Sequence, residues 1–138
     1  MPQWDPLMDT GIDRVDRDHQ RFVEKLNELG QAMKVGKGRE TMADLLAFLN
    51  DYVREHFGYE EALMKRCGYP GYEEHRAIHE RFKKDLATRA AAFAQCPDDR
   101  LITIEIHGWL MSWLSEHALN VDAKVGDYLR NHPELQEE

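Results

Sequence analysis

The chain has 138 residues, 42% apolar and 32% charged, a balance that fits one folded domain and excludes a disordered chain. Lys and Arg total 18 against 26 Asp and Glu; the net charge of −8 disfavours nucleic acid or an anionic lipid surface as the main partner. The two cysteines, Cys67 and Cys96, form no CxxC motif, and no apolar run nears the ~20 residues of a membrane span, so a reduced, cytoplasmic protein is expected.

The first residues, Met-Pro-Gln-Trp-Asp-Pro, have neither the basic nor the apolar region of a secretory signal. With Pro2, Trp4 and Pro6 they read as an extended arm, residues 1–11, laid on a helical body. Ile12, Val15, His19, Phe22, Leu26, Leu29 and Met33 then recur at alternating spacings of three and four, the stripe of an amphipathic helix. Gly36 and Gly38 are expected to end it. A second helix is expected from about Arg39 to Arg66, with Met42, Leu49, Val53, His56, Glu60 and Leu63 on one face. Gly68-Tyr69-Pro70-Gly71 makes a turn.

The third helix, from about Tyr72 to Ala94, carries His75, His79, Phe82, Leu86 and Phe93. Asp98 or Asp99 would cap a fourth, which starts near Arg100 and presents Ile106, Leu110, Trp113, His117 and Val121. Whether it runs unbroken to Asn131 is left open by the pattern; His132-Pro133 closes it. Strand signals are nearly absent. The expected fold is therefore all-α: a single domain over residues 1–138, an antiparallel up-down four-helix bundle over 12–131 with the N-terminal arm and a polar tail at 132–138.

Histidines decide the chemistry. His19, His56, Glu60, His75, His79 and His117 all fall on stripes that should form the core. One buried imidazole needs only a hydrogen-bond partner, but five with a carboxylate would pay repeated desolvation costs. A bound cation removes that cost. His56 with Glu60, and His75 with His79, are four residues apart, so each pair shares a helix face about 40° wide. Asp122 is five residues after His117, about 140° round an ideal helix, and can join only if the helix unwinds locally or ends there.

Imidazoles and carboxylates in this number exceed one tetrahedral zinc and suit two transition metals, iron before manganese, with zinc as a competitor. The Glu-x-x-His pairs of ferritin-like sites are missing. His107 lies off the stripe and reads as a boundary residue, and His132, before Pro133 near the chain end, reads as exposed. Glu61 reads as solvent-facing, and Trp4 and Trp109 as packing residues.

Four pieces together make the sequence resemble the hemerythrin family, most closely its single-domain bacterial members. They are Ile12-Asp13-x-x-Asp16-x-x-His19, His56-Phe57-x-x-Glu60-Glu61-x-Leu63-Met64, Gly68-Tyr69-Pro70 with His75-x-x-x-His79, and Trp113-Leu114-x-x-His117-x-x-x-x-Asp122. The resemblance implies two non-heme irons, bridged by carboxylates and by an oxo or hydroxo group. His75, His79 and His117 would hold one iron, His19 and His56 the other, and Glu60 and Asp122 would bridge them. It implies reversible O2 binding for transport or storage and no enzymatic turnover, with Phe22, Trp113, Leu114 and Ala118 as walls of the O2 pocket. Ala118 departs from the Ile or Leu usual there, leaving room for water or larger ligands. The readings kept beside it are a diiron enzyme acting on peroxide or nitric oxide, and an iron or oxygen sensor or store. Partners other than O2, nitric oxide, peroxide or small anions are not expected, and the chain should be a monomer or weak oligomer.

Overall fold

A computed structural model of the protein describes residues 9–135. Trp4, Pro2, Pro6 and most of the expected arm lie outside the described residues, as does the end of the tail. Helix α1 spans Asp13–Lys34, α2 Gly38–Cys67, α3 Tyr72–Gln95, α4 Arg100–His117 and α5 Ala123–Arg130, and a short 3₁₀ turn, Pro133–Leu135, comes after it. They form an up-down four-helix bundle without strands among the described residues. In it α1 packs on α2, α2 on α3 and α3 on α4, and α4 closes the ring against α1. None of these helices is long and apolar enough to cross a membrane.

The helix ends obey local chemistry. Ahead of α1, the Asp16 carboxylate accepts hydrogen bonds from the Thr10 N–H at 2.8 Å, the Thr10 hydroxyl at 2.8 Å and the Gly11 N–H at 3.2 Å. This satisfies donors beside a helix N-terminus while placing negative charge there. Gly36, at φ 77°, turns the chain out of α1, whereas Gly38 opens α2 instead of ending α1. A glycine is tolerated there because the first turn is entered from an irregular residue, Lys37. Gly68 closes α2 in the left-handed conformation, and the Tyr69 N–H reaches back to the Met64 carbonyl at 2.9 Å. Of the two candidate caps, Asp99 serves: its Oδ1 accepts from the Leu101 N–H at 2.9 Å.

Chain direction does not break after α4. Residues Ala118–Asp122 form a π-helical turn that leads straight into α5, and the Ala123 N–H donates to the Ala118 carbonyl five residues back. This is the local unwinding that Asp122 required.

Two apolar clusters divide the interior. The larger holds Phe22, Leu26, Leu49, Phe82 and Leu110 among others, and the smaller holds Leu63, Cys67 and Leu129 with Tyr69 and Tyr128 against them. The inward histidines lie at the chain positions between the two, so a polar layer is sandwiched by apolar ones. His107 sits at the boundary, its Nε2 3.1 Å from the Leu26 carbonyl. His132 is half-buried, not exposed, because its Nδ1 lies 2.8 Å from the Tyr128 carbonyl and its ring stacks on Tyr128. Trp109 packs on Phe82, with the Arg89 guanidinium over the indole at 4.4 Å from its centroid.

The segment before α1 is locked to α5. Thr10 is fully buried, its carbonyl accepts from Arg130 Nη1 at 3.0 Å, and it lies so close to Gly126 that no side chain fits there.

Candidate metal centre

Every helix of the bundle sends at least one polar side chain to the middle layer. α1 supplies His19, α2 supplies His56 and Glu60, α3 supplies His75 and His79, and α4 with its π turn supplies His117 and Asp122. All seven residues are at most 2% exposed, so water cannot solvate them. Their ligand atoms form two overlapping groups. Glu60, His75, His79, His117 and Asp122 have atoms mutually within 4.8 Å, and so do His19, His56 and Asp122. Every expected ligand is brought into this layer, including Asp122.

Asp122 belongs to both groups because its two oxygens face opposite ways. Oδ1 lies 3.0 Å from His75 Nε2 and 3.0 Å from His117 Nε2, and Oδ2 lies 2.7 Å from His19 Nε2. Glu60 Oε1 stands 3.4 Å from His56 Nε2, 3.3 Å from His79 Nε2 and 3.8 Å from His75 Nε2. The helical i,i+4 spacing within α2 and α3 aims each pair inward; the wider π turn does the same for the i,i+5 pair His117 and Asp122.

Burial holds the imidazoles of His56, His79 and His117 neutral, pushing each below its ordinary pKa; the Asp18 hydrogen bond opposes this at His56, neighbouring imidazoles reinforce it at His79, and Asp122 opposes it at His117. Neutral imidazole is the form that binds a metal. Glu60 is pushed well above the usual carboxylate range, first by burial and then by Asp122. Burial acts the same way on Asp122, but the facing imidazoles of His117, His19 and His75 outweigh it and hold it well below that range.

The arrangement is poorly satisfied as a purely organic core. Glu60 Oε1, His56 Nε2 and His75 Nε2 are buried with no hydrogen-bond partner of proper geometry among the described residues. His79 Nε2 and His117 Nε2 face each other at 3.3 Å, although at most one of two neutral rings can place a proton between them. Lone pairs converging on one point, with no donor to meet them, suit a cation. Five imidazoles and two carboxylates, with one carboxylate spanning two groups, fit a pair of first-row metals, iron among them.

Four contributors were not singled out from the sequence. Asp18 Oδ2 lies 2.8 Å from His56 Nδ1, and Glu61 Oε2 lies 2.9 Å from His79 Nδ1. Glu61 is thus no solvent-facing residue, since it sits in the seam between α2 and α3 with its side chain 19% exposed. The available signal was position: a residue next to an inward ligand is turned about 100° from it and falls on a seam. Tyr52 stacks on His56 with ring centroids 4.6 Å apart, and Phe57 stacks on His79. Of the expected pocket walls, Trp113 stacks on His117 at 4.3 Å, Leu114 and Phe22 are buried in the larger cluster, and Ala118 is fully buried in the π turn.

Comparison with known proteins finds relatives along nearly the whole chain. Residues 10–129 match the family described as the Hemerythrin HHE cation binding domain. The chain is 35% identical over 128 residues to bacteriohemerythrin of Pseudomonas aeruginosa (strain LESB58), covering 93% of this chain and 81% of that one. It is 33% identical over 129 residues to bacteriohemerythrin of Stenotrophomonas maltophilia (strain R551-3), covering 94% and 82%. Over 121 residues it is 28% identical to hemerythrin of Siphonosoma cumanense, covering 88% of each.

Proposed function

Because this chain belongs to the hemerythrin family, we propose that it binds O2 reversibly, as a carrier or store, at a non-heme diiron centre held by its five histidines and two carboxylates. The observation that carries this reading is the placement of Asp122, whose two oxygens face different imidazole groups. His75, His79 and His117 would hold one iron, His19 and His56 the other, and Glu60 and Asp122 would span them. Two ferrous ions supply two electrons that O2 can borrow and return.

The chain's own residues supply the rest. Three imidazoles in one group and two in the other would hold the irons unequally, and the two-imidazole group would leave room for a small ligand. Trp113 stacks on His117, and Phe22, Leu114 and Ala118 lie in the larger apolar cluster beside the site; apolar surface there would exclude water and the protons that make electron loss permanent. Neither a nucleophile–base pair nor a phosphate-binding loop accompanies the site, and the family and donor set support binding over turnover.

The test is anaerobic loading with Fe(II), iron counting, and an optical spectrum before air, after air and after its removal. Two irons per chain with visible bands that appear with O2 and fade on its removal are expected. Immediate and irreversible oxidation would overturn the carrier reading.

A further inference from the structure

Two acidic side chains reach the centre from behind. His56 Nδ1 lies 2.8 Å from Asp18 Oδ2, across the seam from α2 to α1. His79 Nδ1 lies 2.9 Å from Glu61 Oε2, across the seam from α3 to α2. A carboxylate beside Nδ1 keeps the proton on that nitrogen and leaves the Nε2 lone pair facing inward. Both Nε2 atoms do face inward, at 3.4 Å and 3.3 Å from Glu60 Oε1. His75 and His117 differ: their Nδ1 atoms are buried without a hydrogen-bond partner among the described residues.

The five imidazoles are therefore not equally prepared. One clasped ring stands in the two-imidazole group and one in the three-imidazole group. Both carboxylates are mostly covered, with side chains 15% and 19% exposed, so their charge acts through a poorly screened medium. An anion hydrogen-bonded behind a ligand raises that ligand's basicity and favours the more highly charged state of a metal in front of it.

We propose that Asp18 and Glu61 are positioning residues that fix His56 and His79 as ready ligands before metal arrives, seeding one site each, and lower the reduction potential of the iron pair. The inference rests on the diiron reading above. A carboxylate that only filled the seam, without engaging Nδ1, would not select a tautomer.

Nitrogen-15 NMR of the metal-free protein is the first arm. The His56 and His79 rings should show the Nδ1–H tautomer, and Asp18→Ala and Glu61→Ala should each release the corresponding ring from it. The second arm uses the iron-loaded protein. Asp18→Asn and Glu61→Gln keep an acceptor oxygen and the shape but drop the charge, so both should fold and hold two irons while the potential moves positive. Asp18→Ala and Glu61→Ala should surrender one iron to a ferrous chelator roughly 10- to 100-fold faster than the other. An Nε2–H tautomer at both rings, or a potential unmoved in both charge-neutral variants, would overturn the proposal. A wild-type chain that takes up no iron pair would instead sink the diiron reading, and the NMR arm would still decide the tautomer claim.

Discussion

Phe57 lies flat against the imidazole of His79, ring centroids 3.8 Å apart and planes within 1° of parallel. The same ring meets Phe82 edge-on at 5.7 Å. A residue of α2 thus covers one face of an imidazole on α3, fixing the ring against rotation while Glu61 holds its outer nitrogen. Phe57→Ala should cost about 3–5 kcal/mol in urea unfolding and reduce iron occupancy. Phe57→Leu should restore most of the stability, because volume is regained without the planar contact. An alanine variant matching wild type in both midpoint and iron content would show that the ring does neither job.

Glu60 is a liability when no metal is present. It is buried, is pushed towards its neutral form, and its Oε1 has no hydrogen-bond partner among the described residues. Glu60→Met is therefore expected to stabilise the metal-free chain by about 1–3 kcal/mol while abolishing the iron pair. Thermal melts with and without Fe(II) read both effects. Wild type should melt higher when loaded, by linkage of binding to folding, and the variant should not respond.

Gly126→Ala tests the lock between the start of α1 and α5. An added methyl would collide with the Thr10 carbonyl, a backbone atom that cannot swing aside. The expected loss is about 1–3 kcal/mol of unfolding free energy. Arg130→Ala, which removes the hydrogen bond to that carbonyl and an exposed pair with Asp127, should cost less. Equal losses in the two variants would mean that close approach is not what holds the segment.

The two thiols should titrate apart. Both cysteines are free; Cys96 is exposed, and Cys67 is buried, which pushes its pKa up. A thiol-reactive probe should label Cys96 quickly at neutral pH and Cys67 slowly, with the second rate climbing only above the ordinary thiol range. Keeping Cys67 protonated contributes stability that is complete below the unfolded thiol's pKa and is lost as pH rises through the folded one. Labelling of both at equal rates in the native protein would contradict this burial.

Much of this protein is legible in the order of its residues, because helices repeat. The stripe from Ile12 to Met33 marks both α1 and the inward direction of His19, and i,i+4 spacing does the same for His56 with Glu60 and His75 with His79. Gly38 misled because a glycine, though commoner just past a helix end, can also open a helix, and spacing does not distinguish the two. Glu61 misled because a binary inside-or-outside reading has no place for a seam, where a carboxylate is mostly covered and still finds an imidazole. Asp122 was beyond α-helical geometry, and only its place in the family motif kept it among the ligands.

The π turn at Ala118–Asp122 also has a meaning in genetic length. A widened turn is what a helix becomes when it absorbs one residue beyond its period, with no loop thrown out to betray it. In an unbroken α-helix the residue swung round to His117 would be Val121, and the centre would be offered a hydrocarbon. Here the surplus is taken up within a single turn, and α5 continues with Val125 and Leu129 still buried in the bundle. The difference between a grease-lined helix and one that delivers a carboxylate is thus a matter of counting, the room for a single codon, carried silently inside a helix that looks continuous.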